Sequence, residues 1–368
     1  MAADEPPPEP DRLADAPHPR ETLRLFGQQA AEGALLAALA AGRMHHAWML
    51  RGPEGIGKAT LAYRLARRLI ADGAGPVDSL DRPGSCPVAA RFQAQSEPRL
   101  AVLRRAVNDK TGKLRTRITV DEVRRVKRFL EHSAPDGGWR VVLVDAADEM
   151  NPNAANALLK FLEEPPARTV LLLVAHAASA LLPTIRSRCR VLDLAPLGPE
   201  DLAAALAQAG HPVPEGEAAA LSELAGGSAG RAIRLMGGGG LAHYAELVAL
   251  IAGGRVDRPR LVALADLAAG RERETVFPLL CDLALVMIGR MARAGVSGPP
   301  SCAAAADEPR AMTRLAASPE QARLWAEAAA RLAATARHAR AVNLDPGQTI
   351  IDMFLDLDDT LTAAARLS

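Results

Sequence analysis

Gly52, Gly57 and Lys58 stand in the stretch GPEGIGKAT (52–60) at the spacing of a phosphate-binding loop: glycine, four residues, glycine, lysine, then serine or threonine. Such a loop cradles anions. Its glycines let backbone N–H groups close around phosphate oxygens, the N-terminus of the following helix adds positive potential, and the lysine reaches the terminal phosphates. Gly52, Gly55, Gly57 and Lys58 are therefore candidate nucleotide-binding residues. The hydroxyl that would ligate Mg²⁺ is missing, because position 59 is Ala59; a hydroxyl appears one residue late, at Thr60. A second candidate lies in VVLVDAADEM (141–150), where Asp145 ends an apolar run. In P-loop enzymes an aspartate at the end of such a strand holds Mg²⁺. The next position, which in many such ATPases carries a water-polarising glutamate, is Ala146. Asp148 and Glu149 read as acidic charge at the start of a helix. A metal ligand and a water-orienting carboxylate are lost from the same reaction. The pattern predicts a phosphate-binding scaffold without turnover.

The elements that must position these residues are legible nearby. HAWML (46–50) is a short apolar run that feeds the loop, and TLAYRLARRLI (60–70) follows it with helical periodicity. RVVLVD (140–145) and TVLLLVAH (169–176) are continuous apolar runs, as expected of strands buried on both faces, and CRVLDL (189–194) is another short strand. Strands alternating with helices predict an α/β class with a parallel sheet covered on both sides. A helix is predicted from Leu23 to Ala41, and residues 71–98 read as loop. VDEVRRVKRFLEH (120–132) reads as a helix with Val120, Val123, Val126 and Phe129 on one stripe. Its cations Arg124, Arg125, Lys127 and Arg128 fall largely opposite, a solvated face by default. NPNAANALLKFLEEPP (151–166) is a helix opened by Asn151 and closed by Pro165 and Pro166. Beyond Pro196 three short helical segments precede GGGG (237–240), read as a hinge, and 241–368 is helical apart from an interruption at 295–309.

Composition excludes several function classes. Lys and Arg number 44 against 43 Asp and Glu, a formal charge of +1, so no global field draws the chain to DNA or a membrane. The four cysteines, Cys86, Cys189, Cys281 and Cys302, are far apart and form no CxxC pair, which argues against a zinc cage and suits a reducing cytoplasm. The charge-free run 169–185 is broken by His176 and Pro183, so it reads as strand plus loop rather than a membrane span. Residues 1–20 hold six prolines and are predicted to be a disordered tail without a secretion signal. The pair His45–His46 has no acidic partner at readable spacing and reads as packing before the first strand.

NALLKFLEEPP followed by a strand and then SRC (187–189) resembles the bacterial clamp-loader branch of the AAA+ ATPases. The resemblance covers roughly residues 21 to 236, and AVNLDPGQTIIDMFLDL (341–357) is also similar. HHAWMLRGPEGIGKATLAYRLAR and ITVDEVRRVKRFL are similar to members of the delta-prime family of DNA polymerase III subunits. The resemblance implies an AAA+ α/β domain over 21–195, a helical lid over 196–238 and a helical, oligomerising collar over 239–368. It implies a cytoplasmic subunit of the polymerase holoenzyme that helps load the sliding clamp onto primer-template DNA beside gamma/tau and delta subunits, with no intrinsic catalysis. Its degenerate nucleotide site comprises Gly52, Gly55, Gly57, Lys58, Thr60 and Asp145 and binds ATP or ADP weakly at most. No cofactor is required. Relatives carry a four-cysteine zinc module after the first helix of the nucleotide domain; only Cys86 remains here, so no zinc is expected. His176 stands where active members sense the γ-phosphate, and reads instead as a core or helix-contact histidine. In GSAGRAIRL (227–235) Gly230 takes the place of their second sensing arginine, with Arg231 one residue off. Arg188 matches the arginine that projects into a neighbouring subunit's ATP site. The helix bearing Arg124, Arg125, Lys127 and Arg128 matches the layer that tracks DNA. Two other readings stay open at this level. One is an active gamma/tau-type motor, disfavoured by Ala59 and Ala146. The other is a P-loop nucleotide kinase, which accounts for Lys58 and Asp145 but not for NALLKFLEEPP, SRC or the helical tail.

Overall fold

The computed structural model describes residues 9–72, 78–81, 86–108, 111–131 and 137–367. They form two compact units: residues 1–212 with Ser228–Gly230, and residues 213–227 with 231–368.

The first unit is built on a five-stranded parallel sheet in the order β2-β3-β4-β1-β5, with β1 at Ala47–Arg51, β2 at Leu100–Leu103, β3 at Arg140–Val144, β4 at Thr169–Ala175 and β5 at Arg190–Asp193. Its helices are α1 (Gln29–Ala40), α2 (Lys58–Asp72), α3 (Pro87–Gln93), α4 (Val120–Glu131), α5 (Pro152–Glu163), α6 (Pro183–Arg186) and α7 (Pro199–Gln208). Every residue of β3 and β4 is buried, which explains the apolar runs Val141–Val144 and Val170–Ala175. Alternation along the strands divides the core. Trp48, Leu50, Val141, Leu143, Leu172 and Val174 pack with α1 and α2 on one face. Met49, Val142, Val144, Leu171 and Leu173 pack with α4, α5 and α6 on the other.

The structure corrects several expectations. The first helix begins at Gln29, not near Leu23, because Gly27 takes a φ of +68° where a Cβ would strike Leu197. Within 71–98, Pro87–Gln93 forms α3. On α4 the third buried apolar position is Leu130; Val120 and Phe129 are only half-buried. β2 was not legible, since LAVL is four residues long and only Leu103 is buried at this sheet edge. The largest correction concerns the tail. Residues 1–8 lie outside the described residues, but 9–20 are packed. His18 is fully buried, with Nε2 3.1 Å from an Asp11 carboxylate oxygen. Arg20 grips Glu9 with two bonds of 2.8 and 3.0 Å, and Arg104 of the turn after β2 pairs with both Glu9 and Asp11. Burial raises the Asp11 pKa, but His18 and Arg104 outweigh it and hold the carboxyl below its usual value. Proline content suggested disorder; a specific charge network, which composition does not encode, orders the segment.

The second unit is helical: α8 (Ala218–Ala225), α9 (Ala229–Gly237, joining from Arg231), α10 (Gly240–Ile251), α11 (Arg258–Ala269), α12 (Arg273–Ser297), α13 (Glu308–Leu315), α14 (Pro319–Val342) and α15 (Pro346–Arg366). Of GGGG, Gly237 and Gly240 are helical, and only Gly238 and Gly239 lie between α9 and α10. α12 is long and apolar enough to cross a membrane, but Leu280, Leu283, Met287 and Met291 on it are buried within the unit. α14 starts with a capping box between Ser318 and Gln321, and α15 with Asp345 accepting from Gln348 N–H at 2.7 Å. Arg290 of α12 and Glu308 of α13 form a buried ion pair at 2.7 Å that also engages Tyr244 and Glu223.

Candidate functional site

β1 delivers the chain into the loop at Gly52, and α2 starts at Lys58. Backbone geometry demands glycine here. Gly52 has φ +148°, and a Cβ on it would lie 2.8 Å from the Leu194 carbonyl oxygen; Gly55 has φ +77° and would place a Cβ 2.9 Å from Gly230 Cα. Gln28 ties the loop to the sheet edge, donating to Ala195 O at 2.7 Å and to Ile56 O at 3.4 Å. The Lys58 ammonium turns back on its own loop, donating to Gly52 O at 2.7 Å and Pro53 O at 2.5 Å. Burial lowers its pKa to about 8, against the opposing charges of Asp145, Asp148 and Glu54. Ala59 packs its methyl on the core, and Thr60 is buried in the first turn of α2.

Asp145 follows β3 and is 8% exposed. Burial, and next the Asp11 carboxylate, push its pKa up to about 7, with Lys58 opposing. Ala146 beside it is buried and offers no carboxylate. Asp148 and Glu149 do more than charge a helix start. Asp148 accepts from the backbone N–H of His176 at 3.0 Å and of Ala177 at 3.1 Å, and Glu149 pairs with Arg105 at 2.8 Å. Both acids are thus engaged in holding the ends of β4 and β2. His176 itself is exposed rather than in the core. Ser228 and Gly230, which belong to the same unit, meet the loop directly: Gly230 N–H donates to Gly55 O at 3.0 Å, and Ser228 Oγ donates to Glu54 O at 2.7 Å. A Cβ at Gly230 would stand 3.0 Å from Gly55 Cα, so any side chain there would require the loop backbone to give by a few tenths of an ångström. The loop and Lys58 fit a phosphate, but the donor set does not fit a hydrolytic Mg²⁺ site. The hydroxyl is absent at position 59, Ala146 supplies no second carboxylate, and Asp148 and Glu149 are committed to structural bonds. Among the described residues no group of three or more His, Cys, Asp or Glu is placed to hold a metal ion.

Arg188 lies between α6 and β5. Its Nη1 donates to Thr184 O at 3.0 Å, and Nη2 is 2.9 Å from Glu163 at the end of α5. Neighbouring Ile185 and Cys189 are buried in the sheet core, so the backbone carrying Arg188 is fixed. The four cations of α4 are exposed as predicted. Arg124 pairs with Asp121 at 2.8 Å and Lys127 with Glu131 at 3.5 Å, while Arg125 shares a groove with Arg104 and Arg105. His46 is tied to Leu162 O at 3.0 Å and stacks on His45, in keeping with packing before β1. Sequence reasoning missed Glu163, Gln28 and the 9–20 segment. Glu163 sits inside a quoted motif, but nothing in its spacing signals an ion pair with a residue 25 positions later.

Residues 27–198 match the family described as DNA polymerase III, delta subunit. Over 206 residues the chain is 41% identical to the DNA polymerase III subunit delta' of Pseudomonas aeruginosa, covering 55% of this chain and 59% of that protein. It is 36% identical over 204 residues to subunit delta' of Escherichia coli, covering 55% and 58%. Over this segment the chain is similar to the delta-prime subunits. The match spans a little under three-fifths of each of these relatives' length. The gamma/tau subunit of Mycobacterium tuberculosis is 30% identical over 190 residues, covering 52% of this chain and 31% of that protein. The matched residues 27–198 contain the loop, Asp145, α4, α5 and the SRC turn, and carry them on the five-stranded parallel sheet. α8 to α15 lie beyond them.

Proposed function

We propose that this chain is a clamp-loader subunit that helps place the sliding clamp on primer-template DNA without hydrolysing ATP itself. In this reading 21–195 is the AAA+ domain, 196–238 the lid and 239–368 the collar that joins gamma/tau and delta subunits in the cytoplasm. The observation that carries it is the contrast between two sites. The chain's own phosphate loop lacks the hydroxyl and the second carboxylate and has Lys58 bonded inward. Arg188, by contrast, is partly exposed on a rigid turn, which suits an arginine supplied in trans to a neighbour's ATP. ATP or ADP binds weakly at most, through Gly52, Gly55, Gly57, Lys58 and Thr60 with Asp145 nearby.

The direct test is turnover by the purified chain. ATPase activity should stay at background, and Lys58→Ala should not change it. Ala59→Thr should not create activity, because Ala146 leaves the water unoriented. Motor-like turnover abolished by Lys58→Ala would mean an active gamma/tau-type ATPase, and phosphate transfer to a nucleoside monophosphate would mean a kinase.

Arg124, Arg125, Lys127 and Arg128 are the proposed DNA contacts, through the phosphate backbone and without sequence preference. Charge reversal of Arg124, Arg125 and Lys127 should weaken primer-template binding by the assembled loader. It should also flatten the salt dependence, by up to about 0.9 in log–log slope for each phosphate no longer neutralised. Unchanged affinity and slope would reduce this helix face to solvated charge.

A further inference from the structure

We infer that Glu163 is a positioning residue for Arg188: it holds the guanidinium on the SRC turn in the orientation from which it enters a neighbouring subunit's phosphate site. The inference rests on the trans role proposed for Arg188.

Both ends of the pair stand on rigid supports. α5 is fixed at its start by Asn151, whose side chain accepts from Ala154 N–H at 2.8 Å, and along its length by Leu158, Phe161 and Leu162 in the core. Ile185 and Cys189, on either side of Arg188, belong to the same core cluster. Arg190 then enters the sheet, where Trp48 of β1 is its partner. The backbone positions of Glu163 and Arg188 are therefore set relative to each other, and only the side-chain torsions of Arg188 remain to be fixed. An arginine side chain has much rotamer freedom to lose. Thr184 O and Glu163 restrain its far end at two nitrogens, Nη1 at 3.0 Å and Nη2 at 2.9 Å. Neither contact uses Nε. A guanidinium carries five N–H donors in a fixed fork, so donors remain for an incoming phosphate oxygen while these two hold the plane.

The location of Glu163 points the same way. It is the last residue of α5, where a carboxylate meets the negative end of the helix dipole. A basic residue would suit that position better on local grounds. The adjacent Arg188 guanidinium offsets the unfavourable charge, so the acid is explained by its partner rather than by its helix. The pair is solvent-accessible, with side-chain exposures of 36% for Arg188 and 50% for Glu163. Its effect on folding is small, and the consequence belongs in the rate.

The test uses the reconstituted loader with its clamp and primer-template DNA, and follows steady-state ATPase against ATP concentration. Glu163→Ala should lower kcat by about two- to fivefold, the range open to an exposed charge pair, with KM for ATP little changed. Glu163→Gln keeps an acceptor for Nη2 and should recover part of the loss. In an Arg188→Ala background Glu163→Ala should have no further effect, because the residue acts only through the arginine. A normal or faster rate for Glu163→Ala, with Arg188→Ala defective, would overturn the positioning role and leave the trans arginine standing. An equal, additive loss in both backgrounds would also overturn it. A normal rate for Arg188→Ala would overturn the trans arginine itself, and the inference with it.

Discussion

Arg188→Ala should cut the DNA- and clamp-stimulated ATPase of the reconstituted loader by at least roughly tenfold and slow clamp loading with it, while leaving this chain folded and the ring assembled. An arginine supplied in trans raises phosphoryl transfer by about 10³–10⁵ at the site it completes. The expected fall is smaller than that range if, as proposed, Arg188 completes one ATP site among several coupled ones in the loader. Folding should survive because the side chain is partly exposed and its contacts are a peptide carbonyl and a surface carboxylate. Pairs of that kind contribute about 0–1 kcal/mol. Lys58→Ala in the same subunit is the matched control and should change the assay far less. The two outcomes together separate a subunit that lends a group from one that burns nucleotide. Normal clamp loading by Arg188→Ala, or a defect wholly traced to lost assembly, would sink the proposal.

The sequence disclosed the chemistry of the site better than its surroundings. Ala59 and Ala146 could be read directly, because each is a missing functional group at a position whose neighbours are spaced by the motif. The buried strands were equally plain: residues 141–144 and 170–174 are apolar without a break, and only a strand covered on both faces uses such a run. β2 escaped because a half-exposed edge of four residues carries neither alternation nor length. The ordered 9–20 segment escaped for a different reason. Its fold depends on Glu9 and Asp11 meeting Arg104 more than 90 positions later, and no local pattern encodes that meeting. The same holds for Asp148, which local reasoning placed at a helix start and which in fact holds two backbone N–H groups beyond β4. Gly230 lies between these cases. Its departure from an arginine was visible in the sequence, but the tight backbone contact it makes with Gly55 was not.

Glu308→Ala should be the most destabilising single change in the helical unit, at about 3–5 kcal/mol, the usual cost of removing one partner from a buried ion pair. Glu308 has no exposed surface and accepts four hydrogen bonds: from Arg290 Nε at 2.7 Å and Nη2 at 3.1 Å, Tyr244 OH at 2.5 Å, and Ala304 N–H at 2.6 Å. Truncation strands all four donors, and Arg290, itself 2% exposed, keeps only Glu223 and the Cys302 carbonyl. For a unit of this size the loss corresponds to roughly 10 °C in the melting of the full chain, measured by calorimetry. The pH dependence has a definite sign. Burial raises the Glu308 pKa, but hydrogen bonds from Arg290 and Tyr244 outweigh it and hold the folded value below the ordinary 4.5. A depressed acid pKa contributes stability above the unfolded value and loses it as pH falls through the folded one. The gap between wild type and Glu308→Ala should therefore be full at pH 7 and shrink on acidification below about 4.5. Replacing both partners, Arg290→Met with Glu308→Leu, should be less damaging than Glu308→Ala alone, because no buried charge is left uncompensated. A Glu308→Ala protein within about 1 kcal/mol of wild type at pH 7, the ordinary effect of a surface pair, would show that the network is not the keystone of this unit.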